Sequence, residues 1–324
     1  MRPRVFWSLL ILVVAVGSAI GLWQGVTRYY AAPGPAEQQT TVIIPKGSSV
    51  HRVAKVLADA QVIRNPRAFR IMAWLYRTDR DLKAGEYAIP AHASIGDVTA
   101  ILRSGETVVH QVTIPEGLTS HEVLAILKSS YGLMGNVSSV PPEGSLLPET
   151  YQYRYGDTVR EMIKRMSRAM DDEVAKLWKG RAPGLPFHSP DEAVTLASLV
   201  EKETAVPAER SHIAGVFINR LKHGMRLQSD PTVVYAIDPD GPLGRPLTRQ
   251  DLEVNNPYNT YRVNGLPPGP IANPGKDSLY AVLHPLKTDD LYFVADGTGG
   301  HTFAKTLDQH NRNVRKWRER HISH

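Results

Sequence analysis

The sequence predicts an α+β protein with one N-terminal transmembrane helix, a small domain and then a larger one. Three observations carry this reading. Val5 to Val26 contains no charged side chain, and a strand, turn and helix pattern occurs twice between Val42 and Leu127. From Thr158 onward apolar residues recur at helical spacing, and a strand-turn-strand pattern follows near the C-terminus. With 324 residues the chain is long enough for two compact domains, and a hydrophobic content of 42% is that of an ordinary globular protein.

The first element is the membrane segment. Leu9 to Val16 is almost wholly aliphatic, and Trp7 and Trp23 stand near the two ends, as interfacial aromatics do. Arg2 and Arg4 precede the run and few charges follow at once, so the positive-inside rule assigns residues 1–4 to a cytoplasmic tail and 5–27 to the anchor. Everything after about Arg28 then lies outside. Gly17, Ser18 and Ala19 would suit a cleaved signal peptide, but the apolar run is long for a signal h-region, and an uncleaved anchor is expected. Residues 28–40, with Pro33, Gly34 and Pro35, read as a linker.

An internal repeat fills residues 41–135. Val42-Ile43-Ile44-Pro45-Lys46-Gly47 opens one unit and Val112-Thr113-Ile114-Pro115-Glu116-Gly117 the other, and the register continues through His51 and His121, Val53 and Val123, Leu57 and Leu127. Each unit reads as a short strand, a Pro-x-Gly turn, a Ser or Thr cap and an amphipathic helix. Between them Gly85 to Ile89 looks like a return strand, and Ser94 is placed to cap a helix reaching Leu102. The stretch Tyr131 to Pro142, rich in Gly, Ser, Asn and Pro, sets the boundary to a second domain at 143–324.

In that second domain Val159, Met162, Ile163, Met166, Met170, Val174 and Leu177 define a helix, with Gly180 as its stop; the methionines read as core. The next helix carries Glu203. At 100° per residue Ala193, Leu196, Leu199 and Val200 share one face, Glu203 falls within their arc and Glu201 falls well off it. Pro207 biases Val206 away from helical geometry, so the helix should end near Thr204 or Ala205. Glu203 is then in the last turn, where apolar surroundings and the macrodipole both disfavour a carboxylate and raise its pKa. Two readings fit this position: a general acid, or a buried glutamate paired with a cation such as Arg220.

Pro207 is placed to open a further helix with Ile213, Val216, Phe217 and Leu221 inward and Gly224 at its left-handed end. Asp230 before Pro231 has the pattern of an N-cap, which is its bland reading. From Asn255 to Gly275 the chain interleaves asparagines with Tyr258, Tyr261 and several prolines. That composition suits sugar recognition, and it equally suits a proline-stiffened connection. Leu291 to Ala295 and His301 to Ala304 form a hairpin, and a last helix begins near Thr306.

Composition excludes several functions. There is no cysteine, hence no disulfide, thiol nucleophile or thiolate metal site. The 12 histidines show no metal-ligand spacing, so neither metal nor other cofactor is expected. A net charge of +6 is spread along the chain without interleaved aromatics, which argues against nucleic acid as a partner.

Leu199-Val200-Glu201-Lys202-Glu203-Thr204, Val216 to Leu221, Met225 to Val233, Tyr258-Asn259-Thr260-Tyr261, Gly265 to Gly269 and Leu291 to Ala295 resemble, in order, the signature blocks of the YceG-like endolytic murein transglycosylases. The resemblance implies a LysM-like α+β region at 41–135 and a YceG-like α+β catalytic domain at 143–324. It implies an inner-membrane enzyme facing the periplasm, with peptidoglycan glycan strands as substrate and peptidoglycan synthases as partners. Glu203 matches the catalytic acid. Gln228, Asp230, Asn259 and Tyr261 are the substrate-binding candidates, by motif and chemistry. Leu147-Pro148-Glu149-Thr150-Tyr151 departs from the family's Phe-Pro-Asp-Thr-Tyr-like block, and Glu149 is given no role.

Glycoside cleavage usually takes two carboxylates. The resemblance implies that one suffices, because the attacking group is the muramic acid C6 hydroxyl of the substrate, giving a 1,6-anhydro end. Glu203 would protonate the glycosidic oxygen and then, as carboxylate, accept the C6 hydroxyl proton. Two rival readings fit the sequence: an inverting muramidase with Asp230 as base, and a non-catalytic wall-binding scaffold in which Glu203 is structural.

Overall fold

The computed structural model describes residues 3–322. Helix α1 (Pro3–Ala31) contains Trp7–Ala31, 25 residues long and apolar enough to cross a membrane, and no residue of that stretch is fully buried. At 1.5 Å per residue it is about 37 Å long, more than a hydrocarbon core needs. Of the expected cytoplasmic tail, Met1 and Arg2 lie outside the described residues.

The segment expected as a linker is partly helical and otherwise tied down. The helix runs on to Ala31. Gly34 N–H then donates to the His92 carbonyl at 3.1 Å, and His92 N–H to that of Ala36 at 2.8 Å. A Cβ on Gly34 would collide with the Ala93 and Val62 carbonyls, so only glycine lets the chain approach so closely.

The chain divides into two compact units, one up to residue 110 together with 154–156, the other 111–153 and 157 onward. The first contains β1 (Thr40–Ile44), α2 (Val50–Asp59), α3 (Pro66–Leu75), β2 (Gly85–Ile89) and α4 (Ile95–Ser104). Strands β1 and β2 pair antiparallel with Val42 opposite Tyr87, so the expected return strand is present. Ser49 caps α2, and Ser94 caps α4 in a capping box with Asp97. Val53, Leu57, Phe69, Tyr87, Ile89 and Leu102 fill the core, and Val26 and Tyr30 of α1 pack against it. Helix α3 was not anticipated. Its signal is local: the Asn65 side chain accepts from the Arg67 and Ala68 N–H groups, and Pro66 opens the first turn.

The other repeat copy, β3 (Val109–Thr113) and α5 (Ser120–Ser129), lies in the second unit apart from the first two residues of β3. Thr119 caps α5 as Ser49 caps α2, and Gly117 matches Gly47 in φ at 76° and 75°. This copy closes no core of its own. Val123, Leu124 and Leu127 bury themselves with Leu146, Tyr153, Met162 and Met166, and β3 pairs with β4 (Thr150–Arg154). The repeat therefore crosses the division between units, whereas the sequence pattern had kept both copies together in 41–135.

Helix α6 (Val159–Lys179) follows, capped by Thr158 with Glu161, and Met162, Met166 and Met170 are buried as core. Gly180 ends it at φ −92°, without the left-handed turn expected of a glycine stop. Helices α7 (Pro190–Glu203), α8 (Arg210–Lys222), α9 (Asp230–Ile237) and α10 (Lys276–Leu283) build the main core around Leu196, Leu199 and Phe217. Pro207 opens a 3-10 turn, Pro207–Glu209, and α8 starts only at Arg210. The expected hairpin is β5 (Tyr292–Ala295) and β6 (His301–Ala304), followed by α11 (Leu307–Ile322).

Candidate active site

Helix α7 places Glu203. Ser189 caps it, Pro190 opens it, and Thr204 leaves it in extended geometry, so Glu203 is its last residue. Ala193, Leu196, Leu199 and Val200 are buried beneath, which fixes the direction of the terminal turn. Glu203 is half-buried as a residue, with protein crowding its carboxyl. Burial pushes its carboxyl up from the usual range, with Asp230 adding to the rise; a Ser229 hydrogen bond and the charges of His301 and Arg220 oppose it.

The Ser229 hydroxyl donates to Glu203 Oε2 at 2.9 Å. Ser229 is buried and firmly held. Its N–H donates to Thr260 Oγ1 at 2.9 Å, its carbonyl accepts from Thr232 Oγ1 at 2.6 Å, and the two threonine hydroxyls meet at 2.8 Å. Gln228, just before it, adopts φ 51°, which turns the chain so that Ser229 faces inward while Gln228 itself stays exposed. With Oε2 accepting from Ser229, a proton on Glu203 belongs on Oε1.

Arg220 does not form the ion pair that would make Glu203 structural. Its Nε donates to the Leu291 carbonyl at 2.6 Å and its Nη1 to that of Leu227 at 2.7 Å, pinning the chain on either side of the site. Among the described residues Glu203 has no ion-pair partner within reach. The buried ion pair belongs to Glu201, whose side chain is 5% exposed; it lies 3.5 Å from Arg210, and its Oε2 accepts the Gly275 N–H at 2.8 Å. Two glutamates on one turn thus have opposite settings, one neutralised by a cation and one not.

Asp230 does not cap α9. Ser229 holds that position without a side-chain cap, and the Asp230 carboxylate accepts from the Tyr261 hydroxyl at 2.6 Å. Burial, followed by that bond, pushes the Tyr261 phenol above its ordinary value. The charge of Asp230 raises the Glu203 carboxyl, and that of Glu203 raises the Tyr261 phenol. Asp230 also lines a hollow of about 380 Å³ with Lys202, Tyr235 and Arg245. A larger hollow of about 570 Å³, along α8 at Gly215, Ile218 and Lys222, touches none of these groups.

Asn259 turns inward. It is fully buried, its amide nitrogen donates to the Leu252 and Val254 carbonyls at 3.0 and 2.8 Å, and its oxygen accepts from Tyr261 N–H at 3.0 Å. Its work is to shape the loop that presents Tyr261. Asn256 and Asn273 are likewise bonded inside the protein, so this loop uses its amides as struts. Glu149 pairs with Lys276 on the surface at 2.6 Å.

The residues missed were hydroxyls and a histidine. Ser229 and Thr260 lie within recognisable sequence blocks, but nothing local says where their oxygens point. His301 binds Glu209 through Nδ1 at 2.7 Å, and its charge reaches Glu203.

Residues 42–316 match the YceG-like family. An endolytic murein transglycosylase of Bacillus subtilis is 33% identical over 329 residues, covering 90% of this chain and 88% of that protein. One from Streptococcus pneumoniae serotype 2 is 31% identical over 328 residues, covering 86% of this chain and 58% of its own longer length. A crystal structure of a YceG-like protein from Listeria monocytogenes superposes with a TM-score of 0.54 at 33% identity, covering 86% of this chain and 99% of that one.

Proposed function

The chain belongs to the YceG-like family, and from that membership and the setting of Glu203 we propose that it is an endolytic murein transglycosylase in which Glu203 is the acid. The observation that carries the assignment of the acid is the contrast within one turn: Glu201 is held by Arg210, whereas Glu203 has no cation within ion-pair distance among the described residues and its carboxyl is raised by burial. A carboxyl of that kind reaches the substrate still protonated.

Glu203 Oε1–H gives its proton to the glycosidic oxygen between MurNAc and GlcNAc as the C1–O bond breaks. The MurNAc C6 hydroxyl oxygen then bonds to C1, and its proton returns to Glu203, which ends as it began. No water is consumed. Ser229 suits both stages, since its donated hydrogen bond is accepted by the acid's free oxygen and strengthens when the carboxylate forms. Asp230, Tyr261 and Gln228 are proposed to contact the glycan beside Glu203, with Asn259 acting through the loop. The paired strands β1 and β2 around α2 and α3 support a LysM-like reading of the first unit.

We assign α1 to a single pass of the cytoplasmic membrane with the remainder outside it, supported by its length and apolar surface. That placement favours nascent strands as substrate and membrane-bound synthases as neighbours. Mass spectrometry of products from purified glycan tests the chemistry: 1,6-anhydro ends are expected, and exclusively reducing ends would identify a hydrolase instead.

A further inference from the structure

Helix α3 is amphipathic toward the core, burying Phe69, Met72 and Ala73, but its other side is not the polar surface such a helix normally shows. Ile71 is 60% exposed, Trp74 72% and Leu75 39%. Arg67, Arg70, Ile71 and Trp74 recur at i, i+3, i+4 and i+7, and so form a single stripe in which guanidinium groups alternate with large apolar side chains. A hollow of about 510 Å³ runs along it, with Val50 and Asp79 at its rim.

The structure fixes where this stripe sits relative to α1. Tyr76, one residue beyond α3, stacks on Tyr30 of α1 with ring centroids 4.4 Å apart, and its ring lies 6.4 Å from that of Trp23. Trp23 lies within the apolar span. Trp74 is two residues from Tyr76, so its Cα is within about 7.6 Å of that residue's Cα. Val26 and Tyr30 pack into the same core as α3, and the chain after α1 is docked through Gly34 and Ala36, so the unit has no free tether on which to swing away.

We propose that the outer face of α3 lies in the headgroup layer of the membrane that α1 crosses, with Ile71 and Trp74 entering the acyl boundary and the arginines meeting anionic lipid. The charge fits. Between residues 64 and 80 stand Arg64, Arg67, Arg70, Arg77 and Arg80, all exposed, against one acid, Asp79, and among the described residues none of these arginines forms an ion pair. Tryptophan and arginine on one helix face are the side chains that interfacial helices use. The inference rests on α1 spanning the bilayer and is independent of the glycan chemistry.

The chain has no cysteine, so a single introduced thiol reports one position. Full-length Ile71→Cys, Ile11→Cys and Lys55→Cys proteins, each carrying an environment-sensitive dye, are reconstituted in vesicles of neutral lipid with or without about one third anionic lipid. A blue-shifted emission, quenched by brominated acyl chains, is expected at 71 and 11 and absent at 55; at 71 it should strengthen with anionic lipid and fall severalfold when Arg67→Glu and Arg70→Glu are added. A dye at 71 that stays in water while that at 11 is quenched overturns the proposal alone. Water at both positions removes the span and the proposal together. A signal at 71 that follows protein density marks a second copy of the chain, one that follows added soluble glycan marks the polymer, and either result overturns it.

Discussion

Ser229 Oγ donates to Glu203 Oε2 at 2.9 Å across 26 residues of sequence, joining the start of α9 to the end of α7. Because this bond favours the carboxylate while burial favours the acid, Ser229→Ala should raise the Glu203 pKa further. In the proposed mechanism the protonated form starts the reaction, so activity is expected to fall as pH rises through that pKa. The basic limb of the kcat/KM profile should therefore move to higher pH in Ser229→Ala, with a lower plateau. A limb that stays in place or moves down would separate Ser229 from the acid.

Glu203→Gln keeps the shape and removes the transferable proton. Glycan cleavage should fall by at least ~10²-fold while the thermal melt stays near that of the parent. Cleavage at the parent rate would return Glu203 to a structural role.

Glu201→Gln has the opposite signature. Arg210 retains Glu116 at 3.3 Å and Asp277 at 3.4 Å, so the loss is partial, about 1–3 kcal/mol of stability. Anhydro-ended products should still form. A large loss of rate with no loss of stability would show that Glu201 takes part in the chemistry.

Asn259→Ala strands the Leu252 and Val254 carbonyls and should cost about 2–3 kcal/mol, read as a lower urea midpoint. In the fraction that folds, KM should stay close to that of the parent. A raised KM at unchanged stability would make Asn259 a direct sugar ligand.

Glu143 is pushed up from 4.5 to about 7, mainly by burial, despite accepting the Ser120 N–H at 2.9 Å. The folded state therefore keeps a proton that the unfolded chain releases. The resulting stability is present below pH 4.5 and is lost as pH rises through about 7. Glu143→Gln should flatten the fall in urea midpoint across that window. Parallel pH curves for parent and variant would rule out the assignment.

The placement of Glu203 at the end of α7 was legible because its determinants are local. Four apolar residues set the face of α7, and Pro207 sets where it stops. What holds Glu203 was not legible, since Thr260 reaches Ser229 across 31 residues and Gln228, just before Ser229, lies in left-handed geometry. Asn259 shows the limit of composition: an amide that could bind a hydroxyl binds carbonyls equally well, and only burial decides. Helix α3 escaped the pattern because it carries apolar groups on both sides.

The unequal fate of the two repeat copies sets where the catalytic unit can be cut. A fragment beginning at residue 143 would leave β4 without its partner strand β3 and would strip Val123, Leu124 and Leu127 from Met162 and Met166. It would also leave the Asn273 amide without Leu118 and Ser120, its anchors at 3.1 Å. A piece that keeps β3 beside β4 and α5 against Met162 and Met166 therefore starts no later than Val109, and the second repeat copy belongs to the same packed body as Glu203.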